Sequence, residues 1–156
     1  MRKSRAKKRD IVPDPRFNDV LVAKFINNMM IQGKKETARK IFYDAIDIVD
    51  AKIEEEAGIE TWKKALNNVM PSVMVKSRRV GGATFQIPTE VKPDLKISFG
   101  VKWMINYSRK RNEKSMANKL AGEILAAAKG EGAAVKKKED THKMADANKA
   151  FSHFRA

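Results

Sequence analysis

The sequence contains no cysteine and no long apolar run, and these absences exclude several classes of protein. Without cysteine the chain has no disulfide scaffold and none of the usual cysteine zinc fingers. No apolar stretch approaches the roughly 18 residues of a membrane span. The basic N-terminus is followed by Pro13-Asp14-Pro15, where a secretory signal would have an apolar core. These features indicate a soluble protein of the cytoplasm with no membrane partner.

Catalytic signatures are also missing. The sequence has neither a GxSxG nor an HExxH motif, and Gly33-Lys34 lacks the earlier glycine and the preceding strand of a phosphate loop. The only histidines are His142 and His153, which are too far apart along the chain to share a metal ion. A nuclease site at Asp140 and His142 is not favoured, because residues two apart on a helix point in different directions. We therefore expect no catalytic residue, no cofactor and no metal site.

Positive charge is what the sequence has in excess. Its 156 residues include 33 lysines and arginines against 19 acidic residues, a net charge of +14. Such an imbalance predicts an anionic partner. The opening MRKSRAKKR has too few apolar residues to fold alone, which is typical of an arm that binds phosphates. We predict a flexible basic N-terminal arm at residues 1–12 and one helical RNA-binding domain at residues 13–156.

One stretch, VMVKSRRVGGATFQIP, predicts a β-hairpin within residues 73–90. Two β-rich runs meet at Gly81 and Gly82, and paired glycines accept the positive φ angles of a type I′ turn. This turn pairs Val80 with Ala83 and so sets the register of both strands.

Both faces of this hairpin are predicted to be basic. Side chains alternate along a strand, so Lys76 and Arg78 share a face with Phe85, while Arg79 lies on the opposite face. Residues 71–89 contain no acid. Adjacent arginines beside an aromatic ring and a glycine tip suit phosphate contact and base stacking. We interpret the hairpin as an arm that touches nucleic acid; the alternative is a surface hairpin whose basic residues serve solubility.

Six helices are predicted from apolar periodicity and capping signals, at about 18–33, 35–57, 59–70, 92–111, 115–130 and 134–150. Gly58 is expected to close the second helix and Ser115 to cap the fifth, while the sixth is expected to fray near Phe151. Trp62 is predicted to lie in the core. The acidic face at residues 44–56 is interpreted as a solvated or protein-facing surface in preference to a metal site. The predicted fold is mainly α, a six-helix single domain with a protruding two-stranded β-hairpin.

Segments spread over nearly the whole chain resemble a known family. They are PDPRF, GKK, VKSRRVGGATFQIP, KWMI, RKRNEKSMANKLAGEI and AVKKKEDTHKMADANKAFSHFR. In this order they resemble the S-seven family of the bacterial small ribosomal subunit. The resemblance implies a structural constituent of that subunit, which binds its ribosomal RNA directly and organises assembly of the head, the 3′ major domain. It also implies that the hairpin lies near the mRNA exit path and the exit-site tRNA, with head proteins and a platform protein as neighbours.

The resemblance further implies which residues contact RNA. These are Arg2, Lys3, Arg5, Lys7, Lys8, Arg9, Lys34, Lys35, Lys76, Arg78, Arg79, Arg109, Arg111, Lys114, Ser115 and Lys119. The hairpin tip near mRNA and tRNA consists of Gly81, Gly82 and Ala83. Two other functions remain open, a free RNA-binding translational repressor and a basic DNA-compacting protein. A preference for duplex DNA would distinguish the last of these.

Overall fold

The computed structural model of the chain describes residues 6, 9–53 and 56–154. Within these residues it contains six α-helices, one two-stranded antiparallel sheet and a final 3-10 helix. In chain order the elements are α1 (Val20–Met29), α2 (Lys35–Asp50), α3 (Gly58–Val69), β1 (Val73–Val80), β2 (Ala83–Glu90), α4 (Pro93–Arg109), α5 (Met116–Ala128), α6 (Ala133–Ala147) and the 3-10 helix Lys149–Phe154. The prediction of a mainly α fold with six helices and one hairpin is confirmed.

The chain divides into two compact units, Met1–Lys40 and Ile41–Ala156. In the first unit, Asp19 has extended backbone and its carboxylate accepts a hydrogen bond from the Leu21 N–H at 2.7 Å. This bond satisfies one of the N–H groups that a helix leaves unpaired at its N-terminus. Helix α1 therefore begins at Val20, and Phe25 is among the side chains on its buried face.

The sequence predicts an extended connector at residues 10–17, because the residues before Pro13 and Pro15 are disfavoured in helical geometry. The structure instead has a turn at residues 15–17. Asp14 is only 3% exposed. Its Oδ2 accepts hydrogen bonds from the backbone N–H groups of Arg16 and Phe17 at 3.1 and 3.2 Å. A short carboxylate can organise a turn in this way, and Pro15 supplies the φ angle that the turn needs. The hydrogen bonds to Asp14 therefore outweigh the preference of residues before proline for an extended backbone.

Helix α2 ends at Asp50, earlier than predicted, and Gly58 begins α3 instead of closing α2. The Gly58 N–H donates a hydrogen bond to the Asp50 carboxylate. A Cβ atom at position 58 would lie 2.8 Å from Asp50 Oδ1 and 2.9 Å from the Ile46 backbone oxygen. Glycine is needed here because two backbone segments approach closely, and the acid lies where the dipole of α3 favours negative charge.

The core of the second unit is formed by apolar side chains of its helices and of the hairpin base. Trp62 and Leu66 on α3 are almost fully buried, so the prediction that Trp62 lies in the core is confirmed. Helix α4 approaches α3 closely at Gly100, where a Cβ atom would lie 2.8 Å from Met70 Cγ. Ile87 of strand β2 is also buried. The base of the hairpin is therefore part of this core.

The C-terminal helices begin largely as predicted but end differently. Ser115 caps α5, as predicted, and its hydroxyl accepts a hydrogen bond from the Asn118 N–H at 3.2 Å. Helix α6 ends at Ala147, and the chain continues as a 3-10 helix in the region predicted to fray. The ring of Phe151 packs against that of Phe85, with centroids 5.3 Å apart. This contact gives the 3-10 helix a tertiary anchor that the sequence alone does not reveal.

Candidate nucleic-acid interface

The hairpin has the predicted register. Val80 pairs with Ala83, Arg79 with Thr84 and Arg78 with Phe85, and the pairing continues to Val73 and Glu90. Lys76, Ser77, Arg78 and Arg79 are all exposed. Cationic groups therefore extend from both faces of one ribbon, as the alternation of side chains predicts.

The tip of the hairpin is exposed and carries no charge. Gly81 and Gly82 have φ angles of 57° and 90°, the positive values that a type I′ turn requires. No atom lies within 4 Å of a Cβ built at either glycine. The glycines are therefore required by backbone conformation and not by lack of space.

The base of the hairpin is fixed by contacts with the C-terminal part of the chain. The Ser72 N–H donates a hydrogen bond to His142 Nε2 on α6 at 3.1 Å. Burial lowers the pKa of His142, Lys138 lowers it further, and Asp146 opposes the shift. The lowered pKa favours the neutral ring, whose Nε2 can accept this hydrogen bond. The sequence, in which His142 was weighed for a metal site and for catalysis, does not reveal this structural role, because Ser72 is distant in the chain.

Among the basic residues of the first unit, Arg9, Lys34 and Lys35 are exposed. Lys34 and Lys35 follow Gly33, whose φ angle is 75°, and Lys35 is the first residue of α2. The remaining predicted contacts of the arm, Arg2, Lys3, Arg5, Lys7 and Lys8, lie outside the described residues, as do Glu54 and Glu55 of the acidic face.

A second basic cluster lies on the connection between α4 and α5, which we call the 109–115 connection. Arg109, Lys110 and Lys114 are exposed there. Lys110 Nζ lies 5.2 Å from the ring centroid of Tyr107, a cation–π distance. Lys119 Nζ donates to the Arg109 backbone oxygen at 3.4 Å, a long hydrogen bond. The structure thus brings together the predicted residues of this region, while the hairpin arginines form a separate group on β1.

Arg111, within the same connection, binds two acids of its own chain. Its Nε donates to Glu113 Oε1 at 2.8 Å, and its Nη1 donates to Glu123 Oε2 at 3.0 Å. Hydrogen bonding to Arg111 lowers the pKa of Glu113 below its usual value. Burial opposes the charge on Arg111, but the two carboxylates together raise its pKa. Sequence reasoning grouped Arg111 with the RNA contacts and gave no role to Glu113 or Glu123.

The part of the chain that the structure describes contains no group of metal ligands and no helix able to span a membrane. Over residues 6, 9–53 and 56–154, no three or more acidic, histidine or cysteine side chains group in a way that could hold a metal ion. Over the same residues, no helix combines the length and the apolar character needed to cross a membrane.

Comparison with known proteins gives matches along nearly the whole chain. Residues 1–149 match the family described as ribosomal protein S7p/S5e. The small ribosomal subunit protein uS7 of Flavobacterium psychrophilum is 69% identical over 157 aligned positions, which cover 99% of each chain. The proteins of the same name from Christiangramia forsetii and Cytophaga hutchinsonii are 69% and 63% identical, also over 99% of each chain.

Proposed function

Since the chain belongs to the ribosomal protein S7p/S5e family, we propose that its basic hairpin and its 109–115 connection bind the ribosomal RNA of the small subunit. As a member of this family the protein is a structural constituent of the small ribosomal subunit. The observation that carries the proposal is the exposed row of Lys76, Arg78 and Arg79 on a ribbon whose strands and turn hold no acid between residues 71 and 89. Like charges concentrated in this way repel one another in the free protein, whereas a bound polyanion neutralises them.

The mechanism is the neutralisation of phosphates where RNA helices converge. RNA segments repel one another through their phosphates, and each lysine or arginine that contacts a phosphate releases condensed counterions. The proposed contacts include eight exposed cations, with the N-terminal arm, Ser115 and Lys119 in support. The eight are Arg9, Lys34, Lys35, Lys76, Arg78, Arg79, Arg109 and Lys114. Fixed cations of this kind stabilise a folded RNA junction without recognising every base.

The proposed RNA is the 3′ major domain, whose folding into the head the protein would organise. The hairpin supports this proposal because its base is part of a helical core while its tip is uncharged and exposed. A ribbon of this kind can extend beyond the main RNA contacts. We therefore propose that Gly81, Gly82 and Ala83 lie near the mRNA exit path and the exit-site tRNA. Neighbouring head proteins and a platform protein are the proposed protein partners.

The proposed role involves no catalysis. The lysines and arginines of the proposed contacts act by binding phosphates, which needs no chemical step. His142, the half-buried histidine, is hydrogen-bonded to the backbone of Ser72. Its position is therefore explained by support of the hairpin base.

The experiment that tests the proposal compares RNA ligands at one fixed salt concentration. We expect the protein to bind a multi-helix junction from the 3′ major domain more tightly than a duplex DNA of equal length. Replacing Lys76, Arg78 and Arg79 together with glutamine should weaken the RNA binding and flatten its salt dependence. Lys64→Gln is the control for loss of a lysine elsewhere on the surface, because Lys64 is an exposed lysine of α3 whose Nζ lies 3.8 Å from Glu56 Oε1. Equal binding of RNA and duplex DNA would contradict the proposal.

A further inference from the structure

Glu123 is an acidic residue buried completely within a strongly basic chain. Its two carboxylate oxygens have different partners. Oε2 accepts from Arg111 at 3.0 Å, and Oε1 accepts from the backbone N–H of Ala134 at 2.9 Å. Ala134 lies in the first turn of α6, so one side chain joins the connection before α5 to the helix after it. A buried carboxylate bonded at both oxygens holds its partners in fixed positions.

The guanidinium of Arg111 is engaged by two acids. Nε binds Glu113 and Nη1 binds Glu123, and the Arg111 side chain is 32% exposed. The ion pair lies directly against α5 at Gly122, where a Cβ atom would be 2.8 Å from Glu113 Oε1 and 3.0 Å from Arg111 Nε. The absence of a side chain at position 122 therefore leaves the space that the pair occupies.

We infer that Arg111, Glu113 and Glu123 are positioning residues, which hold the 109–115 connection in the shape that presents its exposed cations to RNA. Arg111 acts through its ion pairs and is not itself a phosphate contact. This inference rests on the proposed RNA-binding function. Its consequence is that the basic residues of the RKR segment differ in exposure and role: Arg109 and Lys110 are exposed, whereas Arg111 is half-buried and bonded to Glu113.

The physical gain is a lower entropic cost of binding. A connection whose side chains and backbone are ordered before RNA arrives loses less conformational freedom on binding than a mobile one. Arg111 anchors the middle of the connection, and Ser115 anchors its end by capping α5. Arg109 and Lys114, which are both exposed, precede and follow Arg111 in the chain.

The decisive variant is Glu123→Gln, because simple electrostatics and the inference predict opposite results. The substitution removes a negative charge from a protein that binds a polyanion, so a purely electrostatic effect would tighten RNA binding. If Glu123 positions the connection, binding becomes weaker, by about tenfold for a coupling between packed, hydrogen-bonded neighbours. Glu139→Gln is the matched control, since Glu139 is an exposed acid on α6. It should leave binding unchanged or slightly tighter.

Two further variants keep the test valid if Glu123→Gln does not fold. Gly122→Ala alters no charge and improves helix propensity, yet its methyl group displaces the Arg111–Glu113 pair and should weaken RNA binding. Arg111→Lys keeps the charge but cannot form both bonds in the same fork, so it should weaken binding similarly. Circular dichroism and the thermal midpoint of each free variant report whether the fold is retained.

The measurement is a titration of the 3′ major domain junction at several salt concentrations. Weaker binding by folded Glu123→Gln or Gly122→Ala, with Glu139→Gln unaffected, supports the positioning role. If both folded variants bind as tightly as the unchanged protein, while Arg111→Gln flattens the log–log salt slope by about 0.7 to 0.9, Arg111 is a phosphate contact and the inference is overturned. Failure of the unchanged protein to prefer this RNA would contradict the proposed function instead.

Discussion

The indole ring of Trp62 meets the ring of Phe42 edge to face, with centroids 5.3 Å apart and ring planes at 84°. Both side chains are fully buried. Aromatic pairs favour this geometry because the positive edge of one ring faces the negative face of the other. The contact joins α2 to α3 within the core of the second unit.

Trp62→Ala should destabilise the free protein by about 3 to 5 kcal/mol, because the substitution removes a large buried side chain and leaves a cavity. Chemical denaturation followed by circular dichroism measures this change. The matched variant Arg79→Ala should change the free energy of unfolding by no more than about 0.5 kcal/mol, since Arg79 is exposed on the hairpin. The reverse order of effects would mean that the core and the binding surface have been assigned the wrong way round.

His142 should make stability depend on pH in the mildly acidic range. Its pKa in the folded protein is lowered from the usual value of 6.5 by burial and by Lys138, with Asp146 acting in the opposite direction. The unfolded chain therefore binds the proton first as the pH falls, and stability present above pH 6.5 is lost as the pH falls through the lower pKa of the folded state. Thermal midpoints of the unchanged protein and of His142→Gln should converge between pH 7.5 and about pH 5. His153→Gln, at the other histidine, is the control, and an equal convergence for it would contradict the role of His142.

Deletion of residues 1–9 should weaken RNA binding and reduce its salt dependence. Each phosphate that the shortened protein no longer neutralises should flatten the log–log slope by about 0.7 to 0.9. A filter-binding titration from low to moderate salt with the junction RNA measures the slope. An unchanged slope would show that the basic N-terminal sequence binds no phosphates.

Shortening the hairpin should remove the contact of its tip with mRNA or exit-site tRNA while leaving most of the affinity for ribosomal RNA. Removal of Val80 to Ala83, with a new two-residue turn joining the strands, keeps Lys76, Arg78 and Arg79. Affinity for the isolated RNA should remain within about threefold, because phosphate contacts dominate it. Crosslinking from position 83 in assembled subunits should reach mRNA or exit-site tRNA in the full-length hairpin. A crosslink to protein alone would contradict the proposed position of the tip.

The hairpin was predictable because its information is local. Two glycines at adjacent positions determine a two-residue turn, and that turn sets the register of every pair along the ribbon. The end of α2 was not predictable in the same way. Apolar residues continue at helical spacing as far as Ile53, but Asp50 bonds to Gly58 and the helix stops there. The hydrogen bond between Asp50 and Gly58, and not the apolar periodicity, therefore marks the end of α2.

The ion pairs of Arg111 in the proposed binding surface were not predictable from the sequence either. From sequence this residue is one basic side chain among several, with nothing to distinguish it from Arg109 or Lys110. Its partner Glu123 lies on α5 beside the apolar residues Leu120 and Ile124, and nothing in the periodicity shows which cation comes near it. An acidic residue within an apolar stripe is a signal that could have prompted a search for a buried partner.

The packing of Phe151 against Phe85 has a consequence for the order in which the protein matures during its synthesis. The ribosome makes the hairpin before α4, α5 and α6, and Phe151 is added only after all three helices. A nascent chain can therefore form the ribbon and its turn early, because these depend on local pairing. Its final anchoring, by contrast, waits until Phe151 has been added. A message truncated shortly before residue 149 would yield a chain that has α1 to α6 and both strands but lacks this anchor.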